Sequence, residues 1–296
     1  MRAGEFGVTP LPETNVKTYP LKNWIGKTEQ AEDSIAPQQV QRLAAVLDRG
    51  DAPQNGDRLP PLWHWVFFAT GIRHSELAPD GHAARGEFLP QVSLPRRMWA
   101  GGRLRFHSEI RIGDHIVRHS TIRSIEEKMG RSGRLVFVTV GHDYSGDDGT
   151  LLLSEEHDIV YRDGPSPHEV PAKSVEAPAH PDWQREIHPS ACLLFRYSAL
   201  TFNSHRIHYD LPYAREEGYP GLVVHGPLIA TLLLELLRDT GISRRIKSFS
   251  YRAVSPLFDT APFIACGRRE AEGNAVRLWA QTQNCALAMS AAAELA

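Results

Sequence analysis

Two periods alternate along this chain. From Arg103 apolar residues take every second position, with Leu104, Phe106, Ile110 and Ile112 set against Arg103, Arg105, His107, Glu109 and Arg111. That is the pattern of a strand with one buried face. Further strands are expected at 115–125, 134–144 and 151–161, parted by turns at 128–133 and 145–149, which makes an antiparallel meander. A second unit repeats the order: a lead-in strand near Cys192–Tyr197, a polar stretch, a helix, then strands at 245–254, 262–270, 274–282 and 286–293. The helix opens on Gly226-Pro227, carries Arg238 in its last turn and stops at Gly241. Leu228, Ile229, Leu232, Leu233, Leu236 and Leu237 leave it almost no polar face, so it must be enclosed, and a curved antiparallel sheet would enclose it. A shorter helix follows Pro37, with Val40, Leu43, Ala44 and Leu47 on one face. Leu62–Thr70 is apolar on all sides and reads equally as a buried helix or a buried strand. Gly86–Gly102, with prolines and a Gly-Gly pair around Met98-Trp99, reads as a loop or rim.

Composition narrows the classes. The chain of 296 residues has 33 basic and 35 acidic side chains and a net charge of −2, which gives no electrostatic reason to expect nucleic acid. Three cysteines without paired spacing point to a reducing compartment. Met1–Asp33 has no apolar run of a secretory signal. Leu222–Leu237 is shorter than the ~20 residues of a bilayer helix and contains His225 and Glu235. A cytoplasmic protein with no membrane or nucleic-acid partner is expected, and a homodimer is the one assembly kept open. Five prolines between Asp163 and Asp182 mark a linker. The expected organisation is residues 1–165, a proline-rich linker 166–185, and residues 186–296.

Candidate chemistry concentrates in Tyr197-Ser-Ala-Leu-Thr-Phe-Asn-Ser-His-Arg-Ile-His-Tyr-Asp210 and Gly221-Leu-Val-Val-His-Gly-Pro-Leu228. His205, His208 and Asp210 are the ligand types of an iron or zinc site, and this is the second reading. Histidines are more often structural or solvated than catalytic, and aromatics beside a buried helix usually pack. There is no phosphate loop and no Gly-x-Ser-x-Gly elbow.

The order of Asn203-x-x-x-x-His208, Gly221, His225-Gly226 and buried helix resembles the hydratase 2 motif of the MaoC-like enoyl-thioester hydratases and dehydratases. Ala199–Asp210, Arg97–Gly102 and Gly130–Phe137 resemble the subgroup with two hot dog folds, which holds type 2 hydroxyacyl-thioester dehydratases and itaconyl-CoA and mesaconyl-C4-CoA hydratases. The likeness covers most of the chain from about Ile35. It implies an α+β double hot dog, two curved antiparallel sheets each wrapped round a helix, with the catalytic motif in the second half and an acyl pocket completed by the first. It also implies reversible hydration of an enoyl-CoA, a short dicarboxyl acyl group being the leading choice, with coenzyme A part of the substrate and no other cofactor or metal.

The broader motif has an acid where this chain has Asn203, and an amide cannot act as a base. His208 is therefore expected to move the proton, Asn203 to hold water or orient His208, and Gly226 N–H to meet the thioester oxygen. His205, Arg206, Tyr209, His225 and Trp99 are the candidate substrate contacts. A fatty-acid-type 3-hydroxyacyl-thioester dehydratase, a hot dog thioesterase, the metal enzyme and a non-catalytic acyl-CoA-binding module are the alternatives.

Overall fold

A computed structural model describes residues 20–130, 133–164, 174–242, 244–270 and 273–296. Residues 1–19, where the sequence lacks a signal-like run, and 165–173 of the proline-rich stretch lie outside the described residues.

The first half contributes β1 (Thr28–Ser34), α1 (Pro37–Val46), β2 (Arg96–Phe106), β3 (His115–Gly130), β4 (Gly133–Gly146) and β5 (Leu151–Arg162). The second contributes β6 (Trp183–Ile187), α2 (Ala191–Thr201), α3 (Leu211–Glu216), α4 (Gly226–Asp239), β7 (Ile246–Ala253), β8 (Phe263–Arg269), β9 (Ala275–Thr282) and β10 (Leu287–Leu295). All ten strands form one antiparallel sheet in the order β1-β3-β4-β5-β2-β7-β10-β9-β8-β6. The halves meet where β2 pairs with β7 over Gly101–Arg105.

Each expected strand of the two meanders is present, although the first ends at Phe106 and does not run on to Ile112, and the enclosed helix is α4, buried from Leu228 to Leu237 and packed on β6, β8, β9 and β10. Its single acidic residue before the last turn, Glu235, accepts a hydrogen bond from Trp63 Nε1 of the first half at 2.9 Å. The halves are unequal. The short α1 lies against α2 and the turn Trp63–Val66. The far end of the first sheet is covered by Phe88, Leu89, Val92 and Leu94, which pack on Ile122, Ile125, Val136 and Val138. None of the described helices is long and apolar enough to cross a membrane.

Two expectations change. The lead-in at Cys192–Tyr197 is not a strand but part of α2. Ser190 caps it by accepting from Leu193 N, and Leu194, Tyr197, Ser198 and Leu200 are buried at helical spacing. The segment around Met98-Trp99 is not a loop but the start of β2. Its Gly-Gly pair serves close strand approach: a Cβ on Gly101 would lie 2.7 Å from Tyr251 O, and one on Gly102 would lie 2.5 Å from Glu156 O. A register shift between Trp99 and Gly101 marks a bulge beside Trp99.

Candidate active site

Helix α2 ends on Phe202, whose φ of 50° turns the chain abruptly, so that Asn203 begins the polar loop between α2 and α3. Asn203 Oδ1 accepts the backbone N–H of His205 at 3.0 Å. The oxygen is thus engaged in the turn, and the NH₂ is the end of this amide left for a ligand. His208 follows in a single 3₁₀ turn, Arg206–His208, and is buried. Its Nδ1 donates to Val223 O at 2.7 Å. That bond fixes the tautomer: the proton sits on Nδ1 and the Nε2 lone pair is available as a base. Burial pushes the His208 pKa down to about 4, opposed by the Val223 carbonyl, so the imidazole is neutral near pH 7.

His208 is one of four imidazoles in a row. His225 stacks on it with centroids 3.7 Å apart and planes 18° apart. His205 meets it edge-on at 5.5 Å, and His82 lies 4.0 Å beyond His205. Burial holds His82, His205 and His225 below the usual histidine range as well. His225 Nε2 lies 2.8 Å from Ser198 Oγ of α2.

Asp80 and His82 come from the first half and were not singled out from the sequence. His82 Nδ1 lies 3.0 Å from Asp80 Oδ2. Burial opposes the Asp80 charge, but the side-chain and backbone hydrogen bonds from His82, together with the charges of His82 and His205, outweigh it and keep the carboxylate ionised. Their loop is tied to the motif by Arg206 N donating to Asp80 O at 2.9 Å. Gly81 has φ +88°, and a Cβ there would lie 1.9 Å from Ser204 O, so only glycine permits this approach. The local signal was the turn chemistry of Pro79-Asp-Gly-His82.

These groups line a cavity of about 1120 Å³ that includes Trp99, Asn203, His205, His208, His225 and Gly226. Gly226 is the first residue of α4, where backbone N–H groups have no intrahelical acceptor and the helix dipole favours negative charge. A Cβ on Gly226 would lie 2.7 Å from Trp99 Cε3, so the glycine lets the indole sit against the helix start. Arg206 and Tyr209 are placed outside this lining. Arg206 pairs with Asp210 at 2.9 Å, and Tyr209 is exposed with its hydroxyl on Ser204 O at 3.0 Å.

The metal set His205, His208 and Asp210 is not assembled. Asp210 is held by Arg206 and caps α3 by accepting from Tyr213 N at 3.2 Å. Among the described residues two other groups do bring their ligand atoms within 4.8 Å of one another, His142, Glu155 and His157 in the first half and, here, Asp80, His82 and His205. The latter could hold a cation, although the Asp80–His82 bond already satisfies the carboxylate.

A second cavity of about 330 Å³ shares Trp99, Asn203, His225 and Pro227 with the first and runs into the first half, past Trp65, Arg118, His142, Glu155 and His157. The sequence did hold a sign of these residues. Paired positions share a face, and Ser120↔His142↔Glu155 and Val140↔His157 put polar side chains on the inward face of β3, β4 and β5.

The sequence model of a family described as hydroxyacyl-thioester dehydratase type 2 matches residues 62–259. A curated relative, the mesaconyl-C(4)-CoA hydratase of Chloroflexus aurantiacus, is 50% identical over 274 residues, 92% of this chain and 96% of the relative. Among solved structures, a MaoC-like dehydratase superposes with a TM-score of 0.70 at 15% identity, covering 93% of this chain and 99% of its own. A Mycobacterium tuberculosis protein described as having a double hotdog fold superposes at 0.58 and 12% identity, covering 92% and 96%. The architecture here is that double hot dog.

Proposed function

This chain belongs to the hydroxyacyl-thioester dehydratase type 2 family, a family of hydro-lyases, and we propose that it reversibly hydrates mesaconyl-C4-CoA or a closely similar short dicarboxyl enoyl-CoA. The observation that carries the chemistry is the His208 Nδ1–Val223 O bond of 2.7 Å, which leaves a neutral base at the cavity wall beside the start of α4. The 50% identity over nearly the whole length of both chains supports the substrate.

In this reading coenzyme A enters as part of the substrate through the larger cavity, and the acyl group lies between Asn203, His208 and Gly226. The Asn203 NH₂ holds a water oxygen. His208 Nε2 takes one proton from that water as the oxygen bonds to the β-carbon, and the imidazolium returns the proton to the α-carbon, so no net proton is consumed. Between these steps the thioester oxygen carries negative charge. Gly226 N–H and the dipole of α4 stabilise it, and Pro227 has no N–H to share the task. Trp99, packed against Gly226, walls the reacting carbons from bulk water.

The test is a comparison of kcat/KM for mesaconyl-C4-CoA, itaconyl-CoA, crotonyl-CoA and a long-chain 2-enoyl-CoA. Preference for the two dicarboxyl thioesters is expected. Preference for the long chain would move the chain to the fatty-acid-type dehydratases, and release of free CoA would make it a thioesterase.

A further inference from the structure

Among the described residues, three buried nitrogens that lack a hydrogen-bond partner belong to side chains lining one cavity: Arg118 Nε, His157 Nε2 and His225 Nδ1. Buried polar atoms are nearly always paired, so three orphans around one space of about 330 Å³ point to a missing polar ligand. The cavity adjoins the motif through Asn203 and His225.

The lining holds one guanidinium, Arg118, and two carboxylates, Glu29 and Glu155, so the sign of that ligand's charge turns on which of these are already paired. Arg118 is the only guanidinium or ammonium among the described residues that line it. Its pairing is incomplete: Glu29 Oε1, on a partly exposed side chain, is 3.7 Å from Arg118 Nη2, the Tyr144 hydroxyl interacts with the guanidinium, and the guanidinium lies over the Phe68 ring at 5.3 Å. Burial opposes the Glu155 charge, but His157 and His64 hold it well below the usual carboxylate range, so it stands against an anion unless its oxygens are turned to other partners. However, it accepts from Tyr144 OH at 2.6 Å and Trp65 Nε1 at 3.0 Å, and His64 Nε2 lies 3.1 Å away. His157 Nε2 lies 3.3 Å from Glu155 Oε1, an ion-pair contact that helps hold that carboxylate ionised but lacks good hydrogen-bond geometry, so this nitrogen is only partly engaged. An alkyl chain in this space would bury the orphaned nitrogens against CH₂ groups, whereas a carboxylate would pair them.

Resting on the function proposed above, we infer that Arg118 seats the free carboxylate of the dicarboxyl enoyl thioester, with His157 as a second donor. Because that carboxylate is bonded to the β-carbon, holding it also fixes the carbon that water attacks. Arg118 is thus a specificity-determining residue supplied by the half of the chain without the catalytic motif. His142, whose Nδ1 is 2.9 Å from Ser120 Oγ, packs edge-on against His157 at 4.9 Å and braces it.

The test measures kcat/KM for mesaconyl-C4-CoA and for 3-methylcrotonyl-CoA, which carries a methyl in place of the carboxylate, in wild type, Arg118→Met and Arg118→Lys. The ratio of the two values is expected to fall at least ~100-fold in Arg118→Met and to recover partly in Arg118→Lys. An unchanged ratio would overturn the assignment while leaving the hydratase reading intact. Wild type that turns over neither mesaconyl-C4-CoA nor itaconyl-CoA would overturn both. Inhibition by succinyl-CoA against butyryl-CoA gives a readout free of turnover: wild type should favour succinyl-CoA at least ~10-fold, lose that preference in Arg118→Met and keep part of it in Arg118→Lys. Equal inhibition of wild type by the two thioesters would sink the proposal.

Discussion

Replacing His208 by asparagine separates its roles as base and as brace. An asparagine Nδ2 can occupy the place of His208 Nδ1 and keep the hydrogen bond to Val223 O, 2.7 Å long in the native chain, while the Nε2 base is removed. Hydration should fall roughly 100- to 10,000-fold, the usual worth of a positioned general base. The same variant tests the charge state. Burial lowers the histidine from 6.5 to about 4, so the folded chain holds His208 neutral, while the unfolded chain protonates it below its ordinary value. Stability is therefore full above about pH 6.5 and is lost as pH falls toward the folded value. This one group removes roughly 2 kcal/mol between about pH 7.5 and about pH 5. Urea titrations at both pH values should show the wild-type loss shrinking by about that amount in His208→Asn. His208→Gln, which mimics Nε2 instead, leaves Val223 O unpaired and should be less stable than His208→Asn by about 1–3 kcal/mol. If His208→Asn kept turnover within about threefold of wild type, or if the two pH dependences were parallel, the assignment of a buried neutral base would be refuted.

Other consequences follow from the same geometry. Asn203→Ala should lower kcat roughly 100-fold and also free the His205 N–H, whereas an unchanged rate would leave Asn203 as a turn-former only. Gly226→Ala puts a Cβ 2.7 Å from Trp99 Cε3, and the displaced indole should cost roughly 100-fold in kcat/KM, read against an unchanged far-ultraviolet spectrum. Extensive dialysis against a chelator should leave hydration intact, with substoichiometric zinc and iron in the active protein. Stoichiometric metal lost together with activity would instead promote Asp80, His82 and His205, or His142, Glu155 and His157, to a metal centre.

The sheet was legible because its strands alternate cleanly. The buried helix was legible because Gly226-Pro227 starts a run that no surface could hold. Helix α2 was misread because Cys192–Tyr197 is a short apolar run in which strand and helix patterns coincide, and the Ser190 cap that decides the matter was passed over. The placement of Trp99 depends on glycines that admit a neighbouring strand, and sequence shows the glycines without the neighbour. Asn203, His208 and Gly226 were legible as a motif; their hydrogen bonds were not. Asp80 and His82 could not be read from spacing, because they reach the site through contacts with Ser204, His205 and Arg206, more than a hundred residues away. Arg118 and His157 had left a trace, polar side chains in the inward phase of apolar strands, which periodicity alone treats as an exception.

The most direct test of the account is mass analysis of the product formed from mesaconyl-C4-CoA in ¹⁸O-labelled water. Addition of one labelled water to an intact thioester, with the label on the β-carbon, is the predicted result. Label in a released carboxylate with free CoA, or an unaltered thioester, would contradict hydration at this site.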